Sequence, residues 1–184
     1  MKRALDIVLS VLALLVLSPV FVAAAAAVAI ESGRPVLFRQ QRVGLGGREF
    51  AMLKFRSMVR DAASLGPYYT SGNDARITRV GRVLRRTSID ELPQLWNVLR
   101  GDMSLVGPRP DLPVQEALYS PEDWALRCSV RPGLTGLAQA TLRSQATPEQ
   151  RLAADLDYAR RPGGWRDLRI IAMTFGRFDG QGSN

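Results

Sequence analysis

From Ile7 to Ile30 the chain carries no charged residue. As one straight helix this run would reach about 36 Å, enough to cross a hydrocarbon core of about 30 Å. After it the apolar spacing changes. Val36–Val43 and Arg48–Phe55 read as two strands joined by Gly44-Leu45-Gly46-Gly47, a hairpin pattern. No helix pattern opens after those glycines, so a turn is favoured over a phosphate loop. Met58–Leu65 reads as a short helix stopped by Gly66-Pro67. Across residues 77–86, Ile77, Val80, Val83 and Leu84 fall on one helical face and leave Arg79, Arg82, Arg85 and Arg86 for the rest. Pro93–Arg100 reads as a further helix, with proline in its first turn. Gly107-Pro108-Arg109-Pro110 cannot continue it and is expected to be an ordered loop. Pro121–Val130 is another expected helix, stopped by Pro132-Gly133. Thr147-Pro148-Glu149 opens one that runs to about Arg160, with Leu152, Leu156 and Ala159 on one side. Trp165–Phe175 is a last apolar, basic segment. There is no internal repeat. The pattern predicts an α/β chain, mostly helical with a small β-hairpin, in one compact domain.

Three readings compete for the apolar N-terminus: a cleaved signal peptide, a single span, and a re-entrant hairpin that dips into one leaflet and returns. Lys2, Arg3 and the alanine run Ala23–Ala27 suit the first. Two features favour the third. Pro19, beside Ser18, removes the hydrogen bond to the Leu15 carbonyl and forces a kink, and Ser18 can partly satisfy that carbonyl. Basic residues also flank both ends: Lys2 and Arg3 before, and Arg34, Arg39, Arg42 and Arg48 after. Both flanks then prefer the cytoplasmic side, which a span cannot grant and a hairpin can.

Composition removes many chemistries. The 184 residues contain no histidine and a single cysteine. That excludes Ser-His-Asp and Cys-His nucleophile systems, histidine metal ligands and cysteine-cluster zinc sites. Cys128 is expected to be a packed apolar residue. Carboxylates, lysine, or a metal held by oxygen remain, and oxygen ligation favours Mg²⁺ or Mn²⁺. A formal net charge of +8 points to an anionic partner.

The acidic pair Asp90-Glu91, preceded by Arg79, Arg82, Arg85 and Arg86, is the leading candidate for chemistry. Taken alone, Ser88-x-x-Glu91 fits a capping box, in which the acids only cap a helix. A capping box needs neither Asp90 nor the arginines. An ionised aspartate at a helix start can be a nucleophile or a metal ligand. Lys54-Phe55-Arg56 could clamp phosphate, lysine as a point charge and arginine as a bidentate donor, or could be a solvated strand end. Pro108-Arg109-Pro110 fixes one guanidinium between two rigid residues, which suits oxyanion recognition. Arg131-Pro132-Gly133-Leu134-Thr135-Gly136-Leu137-Ala138-Gln139 could read a base or sugar, or be a plain loop.

Together these segments resemble the bacterial sugar transferases, monotopic polyprenyl-phosphate phosphoglycosyl transferases. The likeness is carried by Ser18-Pro19, Lys54-Phe55-Arg56-Ser57-Met58, Asp74-Ala75-Arg76-Ile77-Thr78, Thr87 to Leu95, Gly101 to Pro110 and Arg131 to Gln139, and extends to about Thr174. The resemblance implies the minimal catalytic form: a re-entrant membrane hairpin over residues 1–32, a catalytic domain with interfacial helices over 33–178, and a frayed tail over 179–184. It implies transfer of a phosphosugar from a UDP-sugar to polyprenyl (undecaprenyl) phosphate, releasing UMP, at the cytoplasmic face of the bacterial inner membrane. Asp90 would be the nucleophile, forming an aspartyl-phosphosugar, with Glu91 and Mg²⁺ beside it. Lys54, Arg56, Arg85 and Arg109 would neutralise phosphoryl charge; Arg131, Thr135 and Gln139 would contact the nucleotide. Membrane lipids are expected partners and nucleic acid is not; a homodimer is left open. The rival is a membrane-tethered basic protein that binds acidic lipid or nucleic acid and does not need Asp90. Neither the sugar nor the downstream glycan can be read from the residues; Gly66–Asn73 and Leu142–Thr147 are the expected specificity loops.

Overall fold

The computed structural model describes residues 2–62, 64–66, 74–142 and 146–178. The tail 179–184, most of the expected specificity loop 66–73 and half of the loop 142–147 lie outside the described residues. Helices α1 (Lys2–Val16) and α2 (Ser18–Ser32) meet at Leu17 with a bend of 63°. Pro19 sits in the first turn of α2, and Ser18 Oγ donates to the Leu15 carbonyl at 2.8 Å, as the sequence suggested. Among the described residues no single helix is long and apolar enough to cross a membrane; the bent pair passes that test jointly. Ile7, Val8, Val11, Leu12, Leu15, Val16, Val22 and Ile30 are all exposed.

The opposite face of the pair is built into the domain. Lys2 Nζ donates to Asp167 Oδ2 at 2.6 Å, to Tyr158 Oη at 3.0 Å and to the Val106 carbonyl at 3.0 Å. Arg3 donates to the Val98 and Leu99 carbonyls at 2.6 and 2.9 Å. Asp6 is buried and accepts from Ser104 Oγ and the Leu105 amide, each at 3.0 Å. At the far end Glu31 accepts from the Arg79 and Val80 amides at 2.9 Å. Those donors have no partner within their own helix, so Glu31 caps it.

Strands β1 (Leu37–Val43) and β2 (Glu49–Phe55) form the expected antiparallel hairpin, with Phe38 opposite Lys54 and Arg42 opposite Phe50. Gly46 and Gly47 take positive φ, 66° and 77°, in the turn. The expected helix at Met58–Leu65 is not present in its described part. Met58 forms a bridge with Ile77, and the Thr78 amide donates to the Ser57 carbonyl, so the chain leaves β2 extended. This second pairing outcompetes the local helical pattern.

Helix α3 (Arg79–Arg86) starts at Thr78, whose side chain accepts from the Gly81 amide. A Cβ at Gly81 would lie 2.0 Å from the Ser57 carbonyl oxygen, so only glycine lets α3 approach the segment after β2 this closely. Of its expected inward face, Leu84 is buried but Val83 is half exposed. Helix α4 (Gln94–Arg100) follows. Asn97 on α4 is fully buried and bonds the Leu53 amide and Ala51 carbonyl of β2 at 3.0 and 2.9 Å. It thereby ties α4 to the strand that carries Lys54.

The sequence pattern missed a second sheet. β3 (Ser104–Val106) pairs in parallel with β4 (Gly133–Thr135). Three-residue strands leave too little alternation to detect. Helices α5 (Pro121–Arg127), α6 (Leu137–Thr141), α7 (Pro148–Arg160) and α8 (Gly164–Phe178) complete the fold. α6 lies where the sequence pattern points to the end of a loop, because five residues give little more than one helical turn. Thr147 and Gln150 form the capping box of α7. Phe21, Ala24 and Val28 of α2 pack with Phe55 and Leu84, the Phe21 and Phe55 rings edge to face at 5.7 Å. Burying such side chains contributes about 1.5–3 kcal/mol each. Cys128 packs with Val43 and Trp124, as expected of a structural thiol.

Candidate active site

The acidic pair lies in a short 3-10 turn, Ile89–Glu91, between α3 and α4. The capping-box reading fails here. Ser88 sits in the left-handed region at φ 56°, its side chain makes no cap hydrogen bond, and α4 begins only after Pro93. Backbone strain at a non-glycine residue two positions before a buried acid is typical of functional turns.

The two carboxylates have different surroundings. Glu91 Oε1 accepts from Lys54 Nζ at 2.7 Å and from Arg109 Nη2 at 2.8 Å. Burial opposes its charge, but those two cations prevail and hold it down to about 2. Asp90 is buried, and among the described residues no donor hydrogen-bonds its carboxylate. Burial first, and the Glu91 charge second, push its pKa up, against the pull of Lys54, Arg85 and Arg109. Glu91 thus anchors the cations, while Asp90 keeps free lone pairs within their field. Divergent environments for neighbouring acids mark separate chemical roles.

The structure brings Lys54, Arg85 and Arg109 to this pair. Arg85 Nε donates to Ser57 Oγ at 2.9 Å, so the segment after β2 fixes that arginine as well. Burial lowers the Lys54 pKa against the Glu91 charge. Arg56 does not join the cluster: its Nη1 reaches back to the Ser32 carbonyl at 3.5 Å.

Arg131, Thr135 and Gln139 are not brought to the acidic pair either. Arg131 Nε donates to the Gly101 carbonyl at 2.9 Å, and Thr135 Oγ1 bonds Thr174 Oγ1 at 2.8 Å. Gln139 Oε1 lies against Gly136. Their segment instead scaffolds the Arg109 loop. The Gly107 amide donates to Thr135 O and the Gly133 amide to Pro108 O, both at 2.9 Å. A Cβ at Gly107 would fall 2.2 Å from the Arg131 carbonyl oxygen, so the two backbones pack directly.

Two further arginines steady Arg109, and the sequence reading missed both. Arg127 donates to the Arg109 carbonyl at 2.7 Å while ion-paired with Asp111 and Asp155. Arg42 donates to the Pro110 carbonyl at 2.8 Å and to Gln40. Burial, then the Arg109 charge, bring Arg42 down to about 10.

No group of three or more metal-ligating side chains exists among the described residues. The donor set is one carboxylate pair, with one Glu91 oxygen already committed to cations. That suits a Mg²⁺ shared with substrate phosphates, which needs only one or two protein carboxylates. It does not suit an ion caged by protein alone.

A turn that presents an open carboxylate beside a cation-bound one, ringed by fixed lysine and arginine, has the charge arrangement that chemistry on phosphate esters needs. The family model of bacterial sugar transferases matches residues 1–179, and this chain belongs to that family. It is 47% identical over 180 residues to a UDP-glucose:undecaprenyl-phosphate glucose-1-phosphate transferase of Caulobacter vibrioides, covering 94% of this chain and 67% of the relative. A protein of the same description from Xanthomonas campestris pv. campestris is 47% identical, over 98% of this chain and 39% of the relative. An N-acetylgalactosaminephosphotransferase of Aeromonas hydrophila, acting from UDP-N-acetylgalactosamine on undecaprenyl phosphate by its name, is 39% identical, over 94% of this chain and 42% of the relative. The chain therefore spans about two fifths of the length of the latter two.

Proposed function

We propose that this protein transfers a sugar 1-phosphate from a UDP-sugar to undecaprenyl phosphate, giving the polyprenyl diphosphate sugar and UMP. The observation that carries the reading is the asymmetry of the acidic pair. Asp90 is a buried carboxylate with no hydrogen-bond donor among the described residues, beside cations that Glu91 holds in place. UDP-glucose leads the candidate donors, because relatives 44–47% identical carry glucose in their names.

In this reading an Asp90 oxygen attacks the sugar-bearing β-phosphorus of the donor. The bond from that phosphorus to the bridging oxygen breaks, and UMP leaves with the electron pair. An oxygen of the lipid phosphate then attacks the same phosphorus, breaks its bond to Asp90 and regenerates the carboxylate. Lys54, Arg85 and Arg109 neutralise charge on the phosphoryl oxygens in both steps. Splitting the transfer lets one cationic site serve two substrates in turn. Asp90 and the uncommitted oxygen of Glu91 would hold Mg²⁺, which supplies Lewis-acid polarisation of the donor diphosphate when bound.

The placement of α1 and α2 supports a monotopic arrangement, and the basic residues on both flanks of the apolar run favour the cytoplasmic face. Each helix, at 15 residues, rises only about 22 Å, short of a hydrocarbon core of about 30 Å. Both outer ends are bonded to the same domain: Lys2 to Asp167, and Glu31 to the start of α3. A span would carry its ends to opposite sides. The lipid phosphate lies at the interface, where such a domain would rest.

Omitting the acceptor tests the covalent step. With UDP-glucose and Mg²⁺ but no lipid phosphate, the protein should release a burst of about one UMP per chain and then stall. Absence of any burst, with UMP formed only when both substrates are present, would rule the two-step route out.

A further inference from the structure

Where α2 re-enters the domain, a groove of about 740 Å³ opens between the start of β1 and the segment that follows β2. Arg34, Arg39, Arg56 and Arg60 line it, with Val36 and Phe38 among the apolar wall. Among the described residues no carboxylate lines it. Among the described residues none of these arginines is paired with an acid, although ion pairs occur elsewhere in the fold. Glu31, the nearest acid in sequence, is committed to the amides of α3. The groove is also partly preorganised. Arg56 donates to the Ser32 carbonyl and Arg60 to the Arg34 carbonyl, which limits the freedom lost when a ligand binds. Four like charges around one concavity repel each other until an anion neutralises them.

We propose that this groove binds the phosphate headgroup of an anionic bilayer phospholipid, as a site separate from the acceptor's. The inference rests on the membrane placement above, which puts the end of α2 at the interface. Its occupant carries both phosphate and hydrocarbon: guanidiniums meet the first, while Val36 and the half-exposed Phe38 meet the second. The cations that act on Asp90 and Glu91 are Lys54, Arg85 and Arg109, and none of them lines the groove. The two places nevertheless touch through the hairpin. Phe38 stands opposite Lys54 in the register, so a lipid seated against Phe38 braces the strand that carries the catalytic lysine.

Native mass spectrometry of the full chain in detergent tests this. The probes are phosphatidylglycerol and phosphatidylcholine with matched acyl chains, offered in equal amounts. Phosphatidylglycerol should be retained about tenfold or more over phosphatidylcholine, and Arg39→Gln with Arg60→Gln should abolish the preference without lowering the melting temperature. Equal retention of both lipids by the unaltered chain, or an undiminished preference in the variant, overturns the proposal. So does one-for-one displacement of phosphatidylglycerol by polyprenyl phosphate, which would assign the groove to the acceptor. Displacement by millimolar inorganic phosphate would reduce it to a plain phosphate site and also overturn it. UMP release from the same samples keeps the two readings apart: lipid preference without UMP would count against the transferase and leave the groove standing.

Discussion

At the residue scale the site depends on how two neighbouring acids divide their work. Asp90 is raised by burial and by Glu91, whereas Glu91 is held to about 2 by Lys54 and Arg109. On the proposed mechanism Asp90 must be deprotonated to attack, so the acid limb of the pH–rate profile should lie above the ordinary aspartate range. Glu91→Gln removes a charge that raises Asp90 and leaves Lys54 and Arg109 without their anion. The acid limb should then move to lower pH while kcat falls, and a pH profile of UMP release checks both. An acid limb that stays put would mean that Asp90 is not the titrating group. Sequence singled out Asp90, Glu91, Lys54, Arg85 and Arg109, through an acid pair among arginines, a proline-flanked arginine and the family resemblance, and the structure brings the five side chains together. Sequence could not identify Arg42 and Arg127. They act through the Pro110 and Arg109 carbonyls, and a side chain that bonds backbone leaves no motif. Nor could it place Arg56, which follows Lys54 by two residues yet turns away to Ser32.

At the scale of elements, the helices and the hairpin were legible because each spans several periods of its pattern and carries caps or glycines at its ends. The β3–β4 pair was not, since parallel strands of three residues declare themselves only through distant partners. The charges before the apolar run read as topology signals, but they do more. Lys2, Arg3 and Asp6 fasten α1 to the domain, and Asp6 holds β3, the strand that leads into the Arg109 loop. Asp6→Ala would leave Ser104 Oγ and the Leu105 amide without that acceptor, at about 1–3 kcal/mol for each group left unbonded in the interior. A lower melting temperature in detergent and a reduced kcat are expected together. Unchanged values of both would show that α1 is only a tether.

At the scale of the whole molecule, an apolar bent pair, a cationic domain and an open aspartate form one device. The pair returns both of its ends to the domain, with the exposed apolar side chains on its outer face. The net charge of +8 suits both an anionic membrane surface and phosphate-bearing substrates. A binding protein would share the arginines and the bent pair; only chemistry requires Asp90. The most direct measurement is therefore UMP release by the purified chain in nanodiscs with undecaprenyl phosphate, Mg²⁺ and a panel of UDP-sugars headed by UDP-glucose, with Asp90→Asn in parallel. The account predicts UMP with a particular donor and a loss of about a thousandfold or more in the variant, as for removal of a covalent nucleophile. UMP release undiminished in Asp90→Asn, or none with any donor from folded protein, would contradict it.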